Sequence, residues 1–493
     1  MIFRCFRLTL LLVVSCHVLL SAQKHENTIW GEQHKGSITL IERSAPIVVG
    51  NYVYIWSHES YESDEETLSL RPSRLEKFDA RTLEKIGEID WNGKFEGRRG
   101  GIAEVFEWGG RLYVHYVSSK KYKGSRHHLR AVDPKTLALE APVPIFNQID
   151  SEKGYEAFKF YTSPNRKYIA VVAYKEGFAG GAIGQFKSAR MKVYKQDFTP
   201  LWERELEVNE NRKDQPTKAI VLDDTGSLFF IRLYPLRGEE KPGKGPWMTW
   251  EVNSFNGASN RIETYPIRRQ SMCRLHVQIS KAGRLELTAS RGEDVDCLTT
   301  SQIQTKIIDP STLQLEVDQT YKIELPKGRK FASLSSVHVQ PDGTRRIYQL
   351  KNLSSAVFYG VEDSEEVTWV KAVKEEGGAL IVKKASDRVY EMDKLFMVGP
   401  SAREVPKAVV HNKNLIVFYN TKMAGKTGKK ESFLFAMTID ESGQSSKQRI
   451  VSNSQFKGRV DLSKIFHDED SKRIYFLTHN DMRYFSLGMM QLE

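Results

Sequence analysis

Basic residues in polar, loop-like segments are the side chains of this chain with the clearest capacity for recognition chemistry. Lysine and arginine attract anions, so their clustering predicts a surface that recruits an acidic protein, an anionic glycan or an envelope component. The alternative is that they are the ordinary charge of exposed loops. The candidate binding residues are Arg98, Arg99, Lys120, Lys121, Lys123, Arg126, Arg212, Lys213, Arg268, Arg269, Arg329 and Lys330.

Residues 1–22 are predicted to be a secretory signal peptide. Arg4 and Arg7 form its positive end, an apolar stretch follows, and small residues end it at Ala22. Cleavage would remove two of the 73 Lys and Arg residues and leave 71 against 62 Asp and Glu, a net charge of +9. The protein is therefore expected in the periplasm or outside the cell, and lipoprotein anchoring through Cys16 is the alternative. Export argues against nucleic acid as the partner, and no later segment is apolar for long enough to span a membrane.

Two cysteines remain in the mature chain, and neither a metal nor a cofactor is predicted. Cys273 and Cys297 are expected to form one disulfide, because exported chains oxidise paired cysteines. The pair His127-His128 has no third ligand nearby in sequence, and His467–Asp470 falls in a tight hairpin. The chain also lacks a GxSxG nucleophile elbow, an HExxH motif and a P-loop.

The elements that must position these residues repeat along the chain. A turn followed by an alternating apolar strand recurs about every sixty residues, which predicts a radial or stacked β-repeat fold. The eight turns are Gly50-Asn51, Gly109-Gly110, Asn165-Arg166, Thr225-Gly226, Ala282-Gly283, Asp342-Gly343, Asn412-Lys413 and Asp470-Ser471.

Around each of these turns the pattern predicts four strands. In the hairpin between the third and fourth strands, Asp is followed by Thr or Ser, as in Asp133-Pro-Lys-Thr136, and such an Asp bonds the backbone of its own turn. The predicted fold is all-β: a single β-propeller of four-stranded antiparallel blades, eight in number, with seven as the alternative. The predicted divisions are a signal peptide at 1–22, an N-terminal segment at 23–35 and the propeller at 36–493. The blades are predicted near 45–91, 101–147, 155–208, 217–267, 273–325, 331–399, 404–452 and 459–493 plus 36–42.

Two of these repeats are irregular. The last one lacks a fourth strand, which residues 36–42 are predicted to supply by pairing with it. This pairing would close the ring and remove two exposed sheet edges. The sixth repeat is longer than the others, and its residues 364–376 fit either a capped short helix or an alternating strand.

Short stretches of the chain resemble known propeller repeats. Ser163-Pro-Asn-Arg-Lys-Tyr-Ile-Ala170 resembles the inner-strand turn of dipeptidyl-peptidase and TolB-type propellers. Asp197-Phe-Thr-Pro-Leu-Trp202-Glu and Asp309-Pro-Ser-Thr312-Leu resemble quinoprotein-like repeats. The resemblance implies a fold and not an activity, because many unrelated functions use such repeats. Quinoprotein dehydrogenases carry a vicinal cysteine pair, which this sequence lacks, so their activity is not expected.

A blade of this kind divides its connections between two faces of the molecule. The loops between second and third strands share one face with the crossings between blades, and the tight turns share the other. The candidate basic residues and both cysteines fall on the long-loop face, where rigid scaffolds concentrate their binding residues. The sequence therefore predicts an exported binding or scaffold protein. The alternative is a propeller enzyme (a lyase, a lactonase or a glycan-active hydrolase) with its site at the central opening.

Overall fold

The structure, a computed structural model, is built from short antiparallel strands. It describes residues 28–35, 42–58, 73–91, 94–95, 98–119, 125–143, 155–177, 186–207, 217–235, 247–268, 272–280, 282–291, 302–324, 336–339, 345–350, 367–371, 374–376, 379–381, 407–412, 414–424, 430–439, 445–452, 459–479 and 484–493. These ranges contain no α-helix, and none of their elements could cross a membrane as an apolar helix. The predicted signal peptide and Cys16 lie outside the described residues.

The strands of the first half fall into four consecutive sheets. Two short strands come first, β1 (Thr28–Trp30) and β2 (His34–Lys35). Sheet 1 contains β3 (Glu42–Arg43), β4 (Ile47–Val49), β5 (Tyr52–His58), β6 (Ser73–Asp79) and β7 (Lys85–Trp91). Sheet 2 contains β8 (Lys94–Phe95), β9 (Arg98–Trp108), β10 (Arg111–Ser119), β11 (Ser125–Val132) and β12 (Leu139–Val143). Sheet 3 contains β13 (Tyr155–Thr162), β14 (Tyr168–Gly177), β15 (Phe186–Lys195) and β16 (Pro200–Glu207). Sheet 4 contains β17 (Thr217–Leu222), β18 (Leu228–Pro235), β19 (Trp247–Phe255) and β20 (Asn260–Arg268).

The second half continues the series. Sheet 5 contains β21 (Met272–Ile279), β22 (Leu285–Arg291), β23 (Gln302–Ile308) and β24 (Leu315–Glu324). Sheet 6 contains β25 (Ser336–Val339), β26 (Arg345–Leu350) and β27 (Val367–Lys371), and the hairpin of β28 (Lys374–Glu376) and β29 (Ala379–Ile381) follows it. Sheet 7 contains β30 (Lys407–His411), β31 (Asn414–Ala424), β32 (Lys430–Ile439) and β33 (Ser445–Ser452). Sheet 8 contains β34 (Arg459–Val460), β35 (Phe466–Asp468), β36 (Arg473–His479) and β38 (Leu487–Gln491), and the short β37 (Tyr484–Phe485) pairs with β2.

Four-stranded antiparallel meanders, as predicted, are the unit of this fold. Sheets 3, 4 and 7 are such meanders, with their strands in sequence order, and sheets 2 and 5 contain one with additional strands at an edge. Alternation along each strand sends apolar side chains to both faces of a sheet. In β10, Val114 packs towards sheet 1 while Tyr113 packs towards sheet 3, and Phe230 and Ile231 of β18 divide in the same way.

Apolar contacts between neighbouring sheets join the units into a radial arrangement. Buried clusters connect sheets 7 and 8, 8 and 1, 1 and 2, 2 and 3, 3 and 4, and 4 and 5. The first strands of neighbouring sheets also adjoin, since β4 contacts β9, β13 contacts β17 and β17 contacts β21. Meanders packed face to face with their first strands side by side are the arrangement of a β-propeller.

An N-terminal strand pairs with the last sheet. This strand is β1, whose Ile29 lies opposite Met489 of β38. The ring of Trp30 packs against Gly488. A Cβ atom at position 488 would come within 2.5 Å of that ring, so a larger residue there would displace Trp30. Residues 36–41, predicted to make this pairing, lie outside the described residues, and Glu42–Arg43 pair with β5 of sheet 1. The N-terminal strand that pairs with the last sheet is therefore Thr28–Trp30, which lies earlier in the chain than the predicted residues 36–42.

The irregular sixth repeat adopts strands where the sequence allowed either a helix or a strand. Val367–Lys371 is a strand that pairs with β26. The following hairpin of β28 and β29 joins the edge of sheet 5, because β29 pairs in parallel with β24. The strand interpretation of this segment is thus confirmed for residues 367–371.

One turn recurs between third and fourth strands, and its Asp caps the backbone as predicted. In sheet 2, Asp133 Oδ1 accepts the backbone N–H of Lys135 at 2.9 Å and that of Thr136 at 2.7 Å. The backbone N–H of Thr136 is the first of the donors that hold the pKa of the Asp133 carboxyl below its ordinary value. The Thr136 hydroxyl in turn accepts the N–H of Ala138. The same pattern occurs in the turns at 79–84 and 309–314.

A leucine with left-handed backbone follows each of these turns. Leu83, Leu137 and Leu313 have φ of 61°, 60° and 60°. This conformation costs a side-chain-bearing residue about 1 kcal/mol. Each leucine is nevertheless buried, and its side chain fills the interface between its own sheet and the preceding one. Burial of a leucine yields about 2 kcal/mol, which exceeds the backbone cost.

Side chains of sheets 1, 2, 3, 4, 7 and 8 donate hydrogen bonds to the next sheet, at one of its turns or at its last residue. The donor lies on one sheet and the acceptor is a backbone carbonyl of the following sheet. The bonds run from Lys77 Nζ to Pro134 O (2.5 Å), Trp108 Nε1 to Gln196 O (3.1 Å), Trp202 Nε1 to Gly226 O (2.8 Å), Tyr265 Oη to Leu313 O (2.5 Å), Asn412 Nδ2 to Glu493 O (3.0 Å) and Tyr475 Oη to Ala80 O (3.5 Å).

Truncation of a turn leucine tests its role between sheets. We expect Leu137→Ala to lower the free energy of unfolding by about 2–4 kcal/mol, because it opens a cavity between sheets 1 and 2. Leu315→Ala is the control, since Leu315 follows the equivalent turn of sheet 5 but is 40% exposed. Its expected cost is below about 1 kcal/mol. Equal losses in denaturant unfolding would contradict the proposed role.

Two tryptophans of equal burial allow the inter-sheet hydrogen bond to be measured. Trp202 and Trp56 are each 8% exposed, but only the Trp202 indole has a hydrogen-bond partner among the described residues. Trp202→Phe leaves the Gly226 carbonyl without its donor, so we expect it to cost about 1–2 kcal/mol more than Trp56→Phe. Thermal or denaturant unfolding of both variants measures the difference. If Trp56→Phe lowered the free energy of unfolding as much as Trp202→Phe or more, the expected contribution of the hydrogen bond would be contradicted.

Candidate binding face

The two faces of the molecule differ in the kind of connection that they carry. The turn face is the face formed by the tight turns before second strands and before fourth strands. The loop face is the opposite one, where second strands connect to third strands and sheets connect to one another. The connections from second to third strands that end on the loop face are 59–72, 120–124, 178–185, 236–246, 292–301 and 425–429, which lie outside the described residues.

Four of the predicted basic residues have a described backbone position, and all four are at the loop face. Arg98 and Arg99 begin β9, Arg126 is the second residue of β11 and Arg268 ends β20. The other predicted binding residues, Lys120, Lys121, Lys123, Arg212, Lys213, Arg269, Arg329 and Lys330, lie outside the described residues.

The predicted disulfide stays a prediction. Cys273 is the second residue of β21, at the loop-face end of that strand, and Cys297 lies outside the described residues. The backbone position of Cys273 agrees with the predicted location on that face. No pairing can be read from one partner.

Two adjoining histidines lie between sheets 2 and 3, of which His115 is buried and His127 is half-buried. His115 Nε2 is 3.0 Å from His127 Nδ1, and the His115 ring meets Phe160 of sheet 3 edge-on. His128 is on the other face of the same strand, where it stacks on Tyr116. His127 and His128, adjacent in the sequence, therefore lie in two different interfaces. The partner of His127 is His115, which the sequence analysis did not identify. Strand alternation alone could not have found it, because the contact also depends on the β10–β11 register, which the packing of the sheets sets.

Burial keeps these imidazoles neutral. It lowers the pKa of His115 to about 4, with a further contribution from nearby His128. Burial also lowers the pKa of His127, to which His115 and His128 add. Neutral imidazoles can share one hydrogen bond, with one ring nitrogen donating and the other accepting. Protonation of either ring would place a charge in an apolar interface, so the pair is a structural contact near neutral pH.

A buried carboxylate lies between sheets 3 and 4, on the loop-face side of the apolar cluster. Glu251 is fully buried and accepts hydrogen bonds from Asn253 Nδ2 at 2.8 Å and Tyr234 Oη at 3.2 Å. The Arg232 guanidinium is 3.7 Å from its Oε1. Sequence reasoning did not single out these residues, because a charged pair within a strand reads as an exposed face. Opposite charges and donors converge here, so the group is satisfied rather than poised for reaction.

In the described part of the chain, no three His, Cys, Asp or Glu side chains gather closely enough to hold a metal ion. His467 begins the tight hairpin predicted from the sequence, and its ring meets His411 edge-on at 5.5 Å.

The histidine pair predicts an acid-dependent loss of stability. An unfolded histidine has a pKa near 6.5, above the value of about 4 for His115 in the folded protein. Between these values the unfolded chain binds more protons, so the free energy of unfolding falls as pH drops through this window. The expected loss from His115 is about 3 kcal/mol.

His115→Phe should flatten the dependence of unfolding free energy on pH between these limits. Phe160→Leu is the control, because it disturbs the same interface and leaves the histidines in place. It should shift stability by a similar amount at every pH. Denaturant unfolding at several pH values gives both slopes, and an unchanged slope in His115→Phe would refute the prediction.

The similarities of this chain to known proteins are remote. No protein-family profile matches the chain, and no curated protein matches it. The chain is similar to the β-propeller domain of the Trilobed protease from Pyrococcus furiosus, with 10% identity, coverage of 83% of this chain and 97% of that chain, and a TM-score of 0.37. It is similar to the Dos1 propeller, with 8% identity, 94% and 96% coverage and a TM-score of 0.45. It also resembles prolyl oligopeptidase B from Galerina marginata, with 9% identity, 90% and 56% coverage and a TM-score of 0.41. The chain thus resembles propeller-repeat proteins.

Proposed function

We propose that this protein is an exported eight-bladed β-propeller that binds an anionic partner on its loop face. The partner is an acidic protein, an anionic glycan or an envelope component. Basic residues at the ends of strands and in the connecting loops attract it, and the sheets beneath hold those residues in fixed positions.

The difference between the two faces is the observation that carries this proposal. On the turn face, short turns are fixed by Asp caps, buried leucines and bonds to the neighbouring sheet. The longer connections begin and end at the opposite ends of the strands, on the loop face, and the sequence predicts the basic residues there. Binding residues concentrate on loops that a rigid scaffold positions, so a face of long loops opposite a fixed face is suited to recognition.

Ring closure through eight blades is part of the proposal. Its support is the pairing of β1 with β38 and the buried cluster that joins sheets 8 and 1. A closed ring would fix the distances between loops of different sheets, which a partner that spans several of them requires. Export and the Cys273–Cys297 disulfide complete the proposal, and their support is the sequence of residues 1–22 and the cysteine content.

A comparison of two charge-matched variants tests the proposal. The loop-face variant changes Arg212, Lys213, Arg268 and Arg269 to Gln, and the turn-face variant changes the exposed Arg81, Lys135, Lys167 and Lys195 to Gln. We expect affinity for immobilised heparin and for poly-glutamate to fall about tenfold or more in the loop-face variant only. A net-charge effect alone would weaken both equally, because each loses four charges.

Salt provides the second measurement. Binding by wild type should weaken steeply between about 0.05 M and about 0.5 M NaCl, since exposed charges are screened over that range. Equal affinity of the two variants, or binding that does not change with salt, would refute a charged loop face. If the loop-face variant alone loses affinity, affinity capture from the native source at both salt concentrations, followed by mass spectrometry, would identify the partner.

A further inference from the structure

Sheet 1 presents aromatic and hydroxyl side chains to sheet 2 at its loop-face end. His58, Ser73 and Trp91 are directly opposite one another on the ends of β5, β6 and β7. Residues that oppose one another share a face of the sheet, and alternation puts Trp56 on this face as well. Trp56 and Trp91 pack in the apolar cluster with sheet 2, so the whole row faces that sheet.

Sheet 2 answers with a second aromatic group at the same end of the interface. Tyr116 of β10 lies directly opposite His128 of β11, and Tyr116 belongs to the same buried cluster as Trp56. Arg130 follows two residues after His128 and therefore shares its face of the sheet. We call this loop-face end of the sheet 1–2 interface the aromatic end, and it comprises Trp56, His58, Ser73, Tyr116, His128 and Arg130.

The rings of the aromatic end are stacked in two pairs. The ring centres of Trp56 and His58 are 4.4 Å apart, and those of Tyr116 and His128 are 4.7 Å apart with 13° between the ring planes. In both pairs the tryptophan or tyrosine is buried and the imidazole is half-buried. The guanidinium carbon of Arg130, also half-buried, is 5.4 Å from the centre of the Tyr116 ring. The aromatic end therefore reaches solvent through two imidazoles and one cation.

Two buried polar atoms of the aromatic end have no hydrogen-bond partner among the described residues. They are Trp56 Nε1 and Ser73 Oγ, on side chains that are 8% and 3% exposed. An unpaired buried donor costs free energy, so native proteins pair such groups with protein, water or ligand. Ser73 is two residues from Leu75, which opposes Trp56, and such diagonal neighbours are about 7–8 Å apart. One ligand can therefore contact both.

The side chains of the aromatic end match a sugar acid. The faces of aromatic rings carry partial negative charge, which attracts the C–H groups of a sugar ring. The indole N–H donates to a hydroxyl oxygen, and the serine hydroxyl both donates and accepts. The Arg130 cation attracts a carboxylate. Aromatic walls with a few placed polar groups are typical of small-ligand sites. An acidic peptide has carboxylates but no sugar ring to place on these faces.

We propose that the aromatic end binds a uronic acid unit of an anionic glycan. Hydroxyl groups of the unit pair with Trp56 Nε1 and Ser73 Oγ, and its carboxylate faces Arg130. The half-buried imidazole of His58 lies on the Trp56 ring, and it is the side chain that turns towards solvent to admit the sugar. This inference rests on the proposed function and narrows the partner to a glycan. The loop-face cations attract the rest of the chain through their charge.

The test compares two probes that have the same number of carboxylates, by calorimetry. Tetragalacturonate has sugar rings, and N-acetylated, C-amidated tetraglutamate has none. Trp56→Phe keeps an aromatic ring and removes the N–H, and Ser73→Ala removes the hydroxyl. For each variant we expect the dissociation constant of tetragalacturonate to rise about three- to tenfold, the effect of one lost hydrogen bond. The dissociation constant of tetraglutamate should change by less than about twofold.

Two matched controls remove the same groups elsewhere. Ser57→Ala is the control for Ser73→Ala, because Ser57 is also 3% exposed and its hydroxyl has no partner among the described residues, but it lies on the other face of sheet 1. Trp250→Phe is the control for Trp56→Phe, since the Trp250 indole is likewise buried without a described partner, between sheets 4 and 5. Both controls should bind tetragalacturonate as wild type does. A loss in the controls equal to that in the test variants would overturn the inference.

Unfolding measurements show whether the variants fold and whether Ser73 is unpaired. Without ligand, Ser73→Ala should unfold at the same temperature as wild type or a higher one, because it removes a buried hydroxyl that lacks a partner. A lower unfolding temperature would mean that the hydroxyl is paired within the protein, which overturns its assignment to a ligand. Saturating tetragalacturonate should raise the unfolding temperature of wild type more than that of either variant.

The outcomes separate this inference from the proposed function. If Trp56→Phe and Ser73→Ala bind tetragalacturonate as wild type does while the loop-face variant of four cations loses affinity, the aromatic end is wrong and the charged face stands. If wild type binds neither probe and the loop-face variant equals its turn-face control, the charged face is wrong as well. Equal binding of the neutral sugar maltotetraose would overturn the preference for a uronic acid.

Discussion

Sheets 1, 2, 3, 4 and 8 are apolar on both of their faces, and a neighbouring sheet covers each face. The alternation of strands such as β10 and β18 places large side chains on either side, so a single meander would expose half of its core. Burial of that surface is the main favourable term in the stability of the fold. The radial order of the sheets follows from this requirement, because each unit must be placed between two others. Sheet 8, with which β1 pairs, packs against sheet 1 for the same reason.

The interfaces between sheets change character from one face of the molecule to the other. Along β18, Leu228 and Phe230 lie near the turn face and pack in the apolar cluster with sheet 3, whereas Arg232 is nearer the loop face and lies beside buried Glu251. The interface between sheets 2 and 3 likewise contains the His115–His127 pair on the strands that run towards the loop face. Polar contacts need defined partners, so they specify how neighbouring sheets align towards the loop face, beyond the apolar clusters.

The turn face has its own means of fixing adjacent sheets. Each recurring Asp turn ends in a leucine that accepts a left-handed backbone and fills the preceding interface. Donors such as Trp202 and Tyr265 bond the turn of the next sheet. A turn is thus held by its own cap and by its neighbour.

The sequence by itself determined what depends on neighbouring residues. The hairpin period, the strand alternation and the Asp caps of turns such as 133–138 are local, and they were predicted correctly because a turn selects its residues within a few positions. Contacts between distant segments were decided only in three dimensions. The pairing of β1 with β38 depends on the space above Gly488, and the left-handed backbone of Leu137 is stabilised by burial of its side chain against sheet 1. The partner of His127 depends on strand register. Register follows from the packing of whole sheets, and for that reason composition and spacing alone could not supply it.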